Sequence, residues 1–151
     1  MAVVGARNAS LNGRAFARTL VQELAGAGLV VVSGLARGID TAAHEGAQAA
    51  GGATVAVIAA GVDVAYPPEN AALMGRIAAE GAVVSERPLG ATARAKDFPR
   101  RNRVIAGLTL GTVVVEAAPA SGSLITARDH KNFAAAFVNR NCAQIIDRKS
   151  T

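Results

Sequence analysis

Residues 29–46 read LVVVSGLARGIDTAAHEG and contain a β-branched run, a glycine-containing turn and an alanine-rich segment in direct succession. The run at 29–33 has the length of a strand that is buried on both faces. Gly34 and Gly38 allow the chain to turn tightly, and residues 38–50 then predict a helix. A strand that passes through a short turn into a helix is the repeating unit of a parallel α/β sheet.

The same alternation extends along the chain in both directions. Further β-branched runs predict strands at 2–4, 54–58, 82–86 and 112–116. Helices are predicted at 11–27, 69–80, 100–108 and 122–136. Because strand and helix alternate five times, the sequence predicts an α/β fold, a Rossmann-like three-layer sandwich with a mostly parallel sheet of five or more strands.

The core of this domain has to be built from aliphatic side chains. Of the 151 residues, 51% are hydrophobic but only 3% are aromatic, and the length suits one domain. In the first predicted helix, Phe16, Leu20 and Leu24 recur at every fourth position and predict its apolar face. No apolar run approaches the roughly 18 residues of a membrane span, no export signal is evident, and Cys142 has no second cysteine to pair with. We therefore expect a soluble cytoplasmic protein without a metal site.

The positive charge is concentrated in one segment. The formal net charge is +5, and residues 86–103 contribute six basic against two acidic side chains, or +4 of that total. Solubility alone does not require such a concentration, whereas a polyanionic partner does. The basic residues are Arg87, Arg94, Lys96, Arg100, Arg101 and Arg103.

Within this segment, residues 97–103 read DFPRRNR. Three arginines on one helical turn cannot all point the same way, so we expect two to face a cleft and one to face solvent or pair with an acid. Phe98 either stacks on an unpaired base, a contact of ~1–3 kcal/mol, or packs the loop onto the core. Arginines beside a stacking ring favour a single-strand binder over a duplex reader, because no recognition helix is evident.

Other functional residues are expected where the strands end, since ligands bind beyond the carboxyl ends of parallel strands. In SGLARGID, residues 33–40, Arg37 and the free N–H groups of the helix start suit an anion, and Asp40 can cap those groups; an ordinary capped turn is an equally good interpretation. GARNAS at 5–10 lacks the glycines of a dinucleotide site, which counts against NAD or FAD, so no cofactor is expected. In this turn, either Arg7 and Asn8 line the cleft, or the turn is simply polar and Ser10 caps the next helix. The second interpretation is at least as good as the first.

Candidates for catalysis are few. His44 and His130 stand in no recognisable nucleophile and base arrangement. Glu116 and Asp63 follow strands, but isolated carboxylates more often orient loops or pair with arginines than perform chemistry. SGSLIT at 121–126 lacks the lysine of a P-loop and favours helix capping. The residues therefore predict a binding protein.

Six segments occur in the order and at the separations of one known family. They are SGLARGIDTAAHEGA, GVDVAYPPEN, SERPLG, FPRRNRVIAGL, VVVEA and SGSLITAR. Through them the chain resembles the DNA-processing protein A family (DprA, also called Smf), from about residue 2 to Arg128.

The resemblance implies a Rossmann-fold core that binds single-stranded DNA in a basic pocket and forms homodimers. It also implies protection of incoming DNA and help in loading a RecA-type recombinase during natural transformation, by a protein that is not an enzyme and has no catalytic residue. Position by position, the resemblance implies DNA contacts at Ser33, Gly34, Arg37, Gly38, Lys96, Phe98, Arg100, Arg101, Asn102 and Arg103.

The end of the chain departs from the family. Residues 129–151 do not match the usual continuation, a glycine-containing turn, a strand and an AVPG-like end. We therefore expect a DprA-like domain over 1–128 and an atypical tail over 129–151 that forms no separate domain, with neither an added helical nor a winged-helix domain. The tail is expected to weaken the dimer, as in a truncated or altered copy. A sixth strand at 143–146, AQII, would retain part of that region.

The alternative is a nucleotide-processing enzyme. Related Rossmann-like folds include phosphoribohydrolases of the lysine-decarboxylase-like group. Those enzymes have a PGGxGT-like turn at the position where this chain has PASGSLIT. The missing glycine pair disfavours this alternative. If the protein were such an enzyme, release of a free base from a nucleoside monophosphate would depend on Glu116.

Overall fold

Short strands rich in valine and alanine alternate with helices along the chain. The computed structural model describes residues 1–117, 134–139 and 142–147. The helices are α1 (Leu11–Gly26), α2 (Ile39–Ala49), α3 (Ala71–Glu80) and α4 (Asp97–Gly107), with a 3-10 turn at Pro68–Asn70. The strands are β1 (Ala2–Gly5), β2 (Val31–Ser33), β3 (Thr54–Val57), β4 (Ala82–Val84), β5 (Thr112–Val115), β6 (Ala134–Asn139) and β7 (Cys142–Asp147).

Strands β1 to β5 form one sheet in the order β4-β3-β2-β1-β5, in which every pairing is parallel. Ala2 is paired with Val32 on one side and with Thr112 on the other. The strand order therefore reverses at β1, with β2 to β4 on one side and β5 on the other. Such a reversal is where ligands bind in doubly wound sheets. The five predicted strands and their parallel arrangement are confirmed.

Alternate side chains of each strand face opposite layers. Val3 and Val115 pack with α1 and α2, whereas Val4 and Val114 pack with Ile105 of α4. Helices therefore cover both faces of the sheet, and the predicted three-layer α/β sandwich is confirmed. Of the helices described, none is both long enough and apolar enough to cross a membrane.

Helix α1 packs through small side chains rather than through its largest ones. Phe16 is 39% exposed, so the predicted apolar face is displaced by one position. The reason is the close approach of α1 to α2, where a Cβ on Gly46 would lie 3.1 Å from the backbone of Arg18. A bulky residue has no room between the helices. The buried residues of α1 are Gly13, Ala17 and Val21.

Helix α4 begins earlier than the sequence predicts. It starts at Asp97 rather than at residue 100, and Asp97 accepts a hydrogen bond from the backbone N–H of Arg94 at 3.0 Å. Pro99 lies in the first turn, where a proline costs no helical hydrogen bond. Phe98 and the arginines that follow it therefore belong to the helix from its beginning.

The tail contains two paired strands. Strands β6 and β7 pair with each other in antiparallel orientation, so the strand predicted at 143–146 is present but belongs to a separate two-stranded sheet. The predicted helix at 122–136 is wrong at its end, because 134–136 lie in β6. The rest of that helix, the SGSLIT segment and His130 lie outside the described residues.

His44 is a buried, neutral residue of α2. Its Nδ1 lies 2.7 Å from Thr54 Oγ1, and the Thr54 hydroxyl donates to the carbonyl of Val31 at 2.9 Å. Because the hydroxyl proton is used on Val31, His44 Nδ1 is the donor to Thr54. Burial, and secondarily the positive charge of Arg101, lowers the pKa of His44 to about 3.

We expect His44 to make the protein less stable in acid. The unfolded imidazole takes up a proton near its ordinary pKa of 6.5, whereas the folded one stays neutral down to a pKa of about 3. The free energy of unfolding therefore falls as the pH drops through this window, by up to about 1.4 kcal/mol per pH unit. Urea unfolding of the natural protein and of His44→Asn, which keeps a donor, measures this at about pH 7 and about pH 5.

The difference between the two proteins isolates His44 from other groups. Burial raises the pKa of Asp40 despite the opposing charge of Arg101, so Asp40 contributes to the pH dependence with the opposite sign. It does so in both proteins, and its contribution cancels in the comparison. The stability advantage of the natural protein over His44→Asn should shrink at the lower pH; an advantage that stays constant contradicts the neutral buried imidazole.

Candidate nucleic-acid interface

A groove opens beyond the carboxyl ends of β1 and β2, against the first turns of α4. Its volume is about 680 Å³. A side pocket of about 210 Å³ shares Arg7, Tyr66 and Phe98 with the groove and adds Arg37 and Glu69. The groove thus lies beside the reversal of strand order, where a ligand is expected in this kind of sheet.

Phe98 forms the aromatic centre of the groove. The guanidinium of Arg7 lies over its ring, 4.7 Å from the centroid, a distance at which a cation is attracted by the ring quadrupole. The ring of Tyr66 is tilted by 50° against Phe98, with the centroids 5.7 Å apart. Phe98 is half-buried, so part of its ring surface stays open in the groove.

Arg37 reaches the groove from the turn between β2 and α2. The turn lies close to the end of β1, because a Cβ on Gly38 would stand 2.2 Å from the carbonyl oxygen of Ala6. Gly38 also has a φ of +79°, a conformation that side-chain-bearing residues rarely adopt. The side chain of Arg37 is 60% exposed and pairs with Glu69 at 3.6 Å. An exposed pair of this kind contributes only about 0–1 kcal/mol, so Arg37 is easily released to an anion.

The start of α2 offers less to an anion than the sequence predicts. The N–H groups of Ile39 and Thr41 already donate to the carbonyls of Ala6 and Ala36. Asp40 does not cap the helix start; its Oδ2 accepts from the N–H groups of Gly34 at 3.1 Å and Ala36 at 3.4 Å, in the preceding turn. The carboxylate therefore holds the turn in shape from inside.

Arg101 is an internal side chain. It is only 8% exposed, and its Nη1 donates to the carbonyl oxygens of Gly34 and Val57, both at 2.5 Å. Burial lowers the pKa of Arg101, and the carboxylate of Asp40 opposes this shift. The guanidinium therefore ties α4 to the ends of β2 and β3.

Gly34 is held from two sides. Its N–H donates to Asp40, and its carbonyl accepts from Arg101. A Cβ at this position would lie 2.2 Å from Nη1 of Arg101, so the guanidinium occupies the space of a missing side chain. Through these contacts the turn that carries Arg37 and the helix that carries Phe98 form one rigid unit.

Of the residues expected to contact DNA, one group lines the groove or its side pocket and another is buried beneath it. Arg37, Gly34 and Phe98 line the groove or its side pocket. Ser33 and Asn102 are buried; the Ser33 hydroxyl donates to the carbonyl of Val3 at 2.6 Å. Asn102 accepts from Nε of Arg101 at 3.1 Å. These two residues support the groove from within.

The remaining basic residues of the segment lie elsewhere. Lys96 is exposed immediately before α4. Arg100 and Arg103 line a different cavity, and Arg103 Nη2 donates to both carboxylate oxygens of Glu86 at 2.6 and 2.7 Å. The expectation that one of the three arginines pairs with an acid is met by Arg103. The expectation that the other two face the cleft is wrong, because Arg100 lines the other cavity and Arg101 is buried beside the groove with its guanidinium bound to backbone carbonyls.

Two groove residues carried weak signals in the sequence. Nothing in the sequence singles out Tyr66, although it follows β3 and so belongs to a strand end. Of the two residues that one interpretation of the turn places in the cleft, Arg7 lines the groove, whereas Asn8 lines neither the groove nor the side pocket. The other interpretation also holds in part, because Ser10 Oγ accepts from the N–H of Gly13 at 3.0 Å and caps α1.

The carboxylates that follow β3 and β5 hold loops. Asp63 accepts from the N–H of Gly90 with both oxygens at 2.9 Å. Glu116 Oε2 accepts from the N–H of Ser10 at 2.8 Å and from its hydroxyl at 3.1 Å. Both contacts match the loop-orienting role that the sequence favours for isolated carboxylates.

Comparisons with known proteins relate this geometry to a family. A family model described as "DNA recombination-mediator protein A" matches residues 1–142. Protein Smf of Escherichia coli is 46% identical over 129 residues, which cover 85% of this chain and 34% of that protein. The chain spans between 32% and 44% of the length of the curated relatives it matches.

Two solved structures share the fold closely. The X-ray structure of DNA processing protein A from Streptococcus pneumoniae superposes with a TM-score of 0.82 at 44% identity, covering 89% of this chain and 48% of that one. DNA processing protein A from Helicobacter pylori gives a TM-score of 0.84 at 28% identity, covering 95% and 67%. The Helicobacter structure concerns the single-stranded DNA binding mode of that protein.

Proposed function

The chain belongs to the DNA recombination-mediator protein A family, and from this premise we propose that its groove binds single-stranded DNA. The observation that carries the proposal is the cluster of Arg7, Phe98 and Arg37 at the carboxyl edge of the sheet. The arginines supply guanidinium groups that match phosphate geometry. The ring supplies a stacking surface on which any base can rest.

The arrangement favours a single strand over a duplex. Stacking on Phe98 requires a base whose face is free, and paired bases inside a duplex have none to offer. Phosphate contacts by arginine carry no base information, and stacking tolerates every base because each has a π-face. We therefore expect binding that depends weakly on sequence and strongly on salt.

Arg101 has a supporting role in this proposal. Its Nη1 donates to two backbone carbonyls and its Nε donates to Asn102. The guanidinium fixes the distance between the turn with Arg37 and the helix with Phe98, and we assign to it no phosphate of the bound strand. Ser33, Gly34, Gly38 and Asn102 shape the same unit.

The wider role follows the family. We propose that the protein acts in the cytoplasm as a binding protein and not as an enzyme, that it protects incoming single strands, and that it helps load a RecA-type recombinase in natural transformation. A homodimer weakened by the atypical tail belongs to the same proposal. Support comes from the family membership and from the similarity to the Helicobacter pylori protein.

The direct test is fluorescence anisotropy with labelled oligo-dT and with a duplex of equal length, over a series of salt concentrations. We expect preference for the single strand and a negative slope of log K on log salt of about −0.7 per phosphate contacted. Arg37→Gln should reduce the steepness of that slope by about 0.7. Phe98→Ala should weaken binding by ~1–3 kcal/mol with little change in slope.

Arg76→Gln is the matched control. Arg76 is exposed on α3, away from the groove, where its Nε donates to Gln48 Oε1 at 3.4 Å. The substitution removes the same charge as Arg37→Gln and should leave both affinity and slope nearly unchanged. Equal affinity for duplex and single strand, or equal losses in the Arg37 and Arg76 variants, would refute the assignment of the groove.

A further inference from the structure

A second cavity lies beside α4, at the ends of β3 and β4, and has a volume of about 380 Å³. It shares Arg101 with the groove and Ala59 with the side pocket, and no other residue. We call it the arginine cavity because Arg87, Arg100, Arg101 and Arg103 line it. Of the family-derived candidates, Arg100 and Arg103 lie here rather than in the groove.

The arginine cavity carries an excess of positive charge. Its four arginines face two carboxylates, those of Glu86 and Asp97, which leaves a formal charge of 4 − 2 = +2. Arg101 is bound to backbone carbonyls, and without it the other three arginines and the two carboxylates leave a formal charge of +1 for a ligand. A cavity with an excess of one sign of charge and partly apolar walls attracts counter-ions.

Several N–H groups in this cavity are available for a ligand. Within the described residues, Arg100 has no ion pair. Arg103 uses only Nη2 on Glu86. Arg87 is anchored through Nη1, 3.7 Å from the buried Asp97, while its buried Nε lacks a hydrogen-bond partner in the part of the chain described. A buried donor without an acceptor is costly, and an anion would satisfy it.

The chemistry of the lining favours a phosphate over a base as the group held in this cavity. None of its lining residues is aromatic; the walls between the arginines are Val57, Ile58, Ala59 and Val104. Planar guanidinium forks match the oxygen atoms of phosphate in a bidentate fashion. We propose that the arginine cavity is a phosphate-binding subsite, separate from the groove, held by Arg87, Arg100 and Arg103.

The phosphate has two possible sources. It belongs either to the backbone of a single strand that continues from the groove past α4, which rests on the proposed function, or to a free phosphate or nucleotide. The chemistry of recognition is the same in both cases. The test therefore measures phosphate binding without DNA first and the contribution to DNA binding second.

The first measurement is a titration of the protein with inorganic phosphate, followed by the NMR signals of the arginine Nε–H groups. Chloride at equal ionic strength is the control. We expect the signals of Arg87 and Arg103 to shift and saturate in phosphate but not in chloride. Arg100→Gln should weaken this binding by about tenfold, because a charge-assisted hydrogen bond is lost.

Two further variants keep the titration decisive. Arg87→Lys retains the charge beside Asp97, so the fold is preserved, but it removes the planar fork and Nε; it should also weaken phosphate binding. Arg37→Gln, in the side pocket, should leave the Arg87 shifts unchanged. Signals that do not saturate, or that move equally in chloride, overturn the proposal.

Oligo-dT of increasing length then identifies the source. If the cavity takes a backbone phosphate, Arg100→Gln reduces the salt slope for long oligonucleotides and leaves it unchanged for short ones. If it takes a free phosphate, the variant binds every length like the natural protein while the phosphate shifts are weakened. Failure of all oligonucleotides to bind would refute the proposed function and leave the phosphate titration as an independent result.

Discussion

Replacing Arg101 with methionine is expected to lower the free energy of unfolding by about 3–5 kcal/mol. Methionine has a similar length but leaves the carbonyls of Gly34 and Val57 without their donor. It also removes the positive charge near Asp40, a carboxyl that is only 5% exposed. A buried acid that loses its compensating charge is one of the few causes of such a large effect.

Urea unfolding followed by circular dichroism measures the loss, with Arg100→Met as the control. The control makes the same substitution one residue earlier in α4, at an exposed side chain, and should change stability by no more than about 0.5 kcal/mol. Similar values for the two variants would show that Arg101 is not part of an internal network.

The DNA-binding of the folded Arg101→Met protein separates support from contact. If the guanidinium only positions the groove, affinity for oligo-dT falls while the slope of log K on log salt stays the same. A decrease in steepness of about 0.7 would instead indicate a phosphate contact, as the family resemblance implies. Arg101→Lys, which keeps the charge, provides the comparison if the methionine variant does not fold.

Gly38→Ala is expected to destabilise the protein by about 2–4 kcal/mol. The new Cβ would lie 2.2 Å from the carbonyl oxygen of Ala6 and 2.6 Å from that of Arg7. Both are backbone atoms, so neither can rotate away as a side chain would. The strain of a positive φ adds to this clash. Thermal or urea unfolding measures the change.

Gly28→Ala is the comparison at a positive φ without a clash. Gly28 has a φ of +80°, compared with +79° for Gly38, but a Cβ there would meet nothing within 4 Å. Its substitution should therefore cost only about 1–2 kcal/mol. Equal losses at the two positions would mean that β1 and the turn after β2 separate without penalty. Because the clash pushes on the backbone of Arg7, Gly38→Ala should also weaken oligo-dT binding.

The sheet and its helices could be predicted because the local signals agree with the tertiary structure. The β-branched runs at 29–33 and 112–116 contain β2 and β5, whose side chains pack into the layers on both faces of the sheet, and the turn at Gly34 and Gly38 suits a strand that passes directly into a helix. The resemblance to the family added a ligand for the basic segment, because it implies that this segment contacts single-stranded DNA.

The directions of the side chains in α4 could not be predicted. Three arginines stand within four residues, and the sequence does not show that one is buried against carbonyls, one pairs with Glu86 and one has no ion pair in the described part of the chain. Burial of Arg101 depends on two carbonyls that are 67 and 44 residues away. In the same way, small residues form the buried face of α1 because α2 lies close to it, and the spacing of apolar residues alone does not show this.

The double attachment of Gly34, through Asp40 on its N–H and Arg101 on its carbonyl, has a consequence for the thermodynamics of binding. A site already held in shape loses little conformational freedom when it is occupied. The entropy lost on binding then falls almost entirely on the flexible DNA strand. Differences in affinity among strands would accordingly reflect how readily each strand gives up its own base stacking, because the conformation of the binding site changes little.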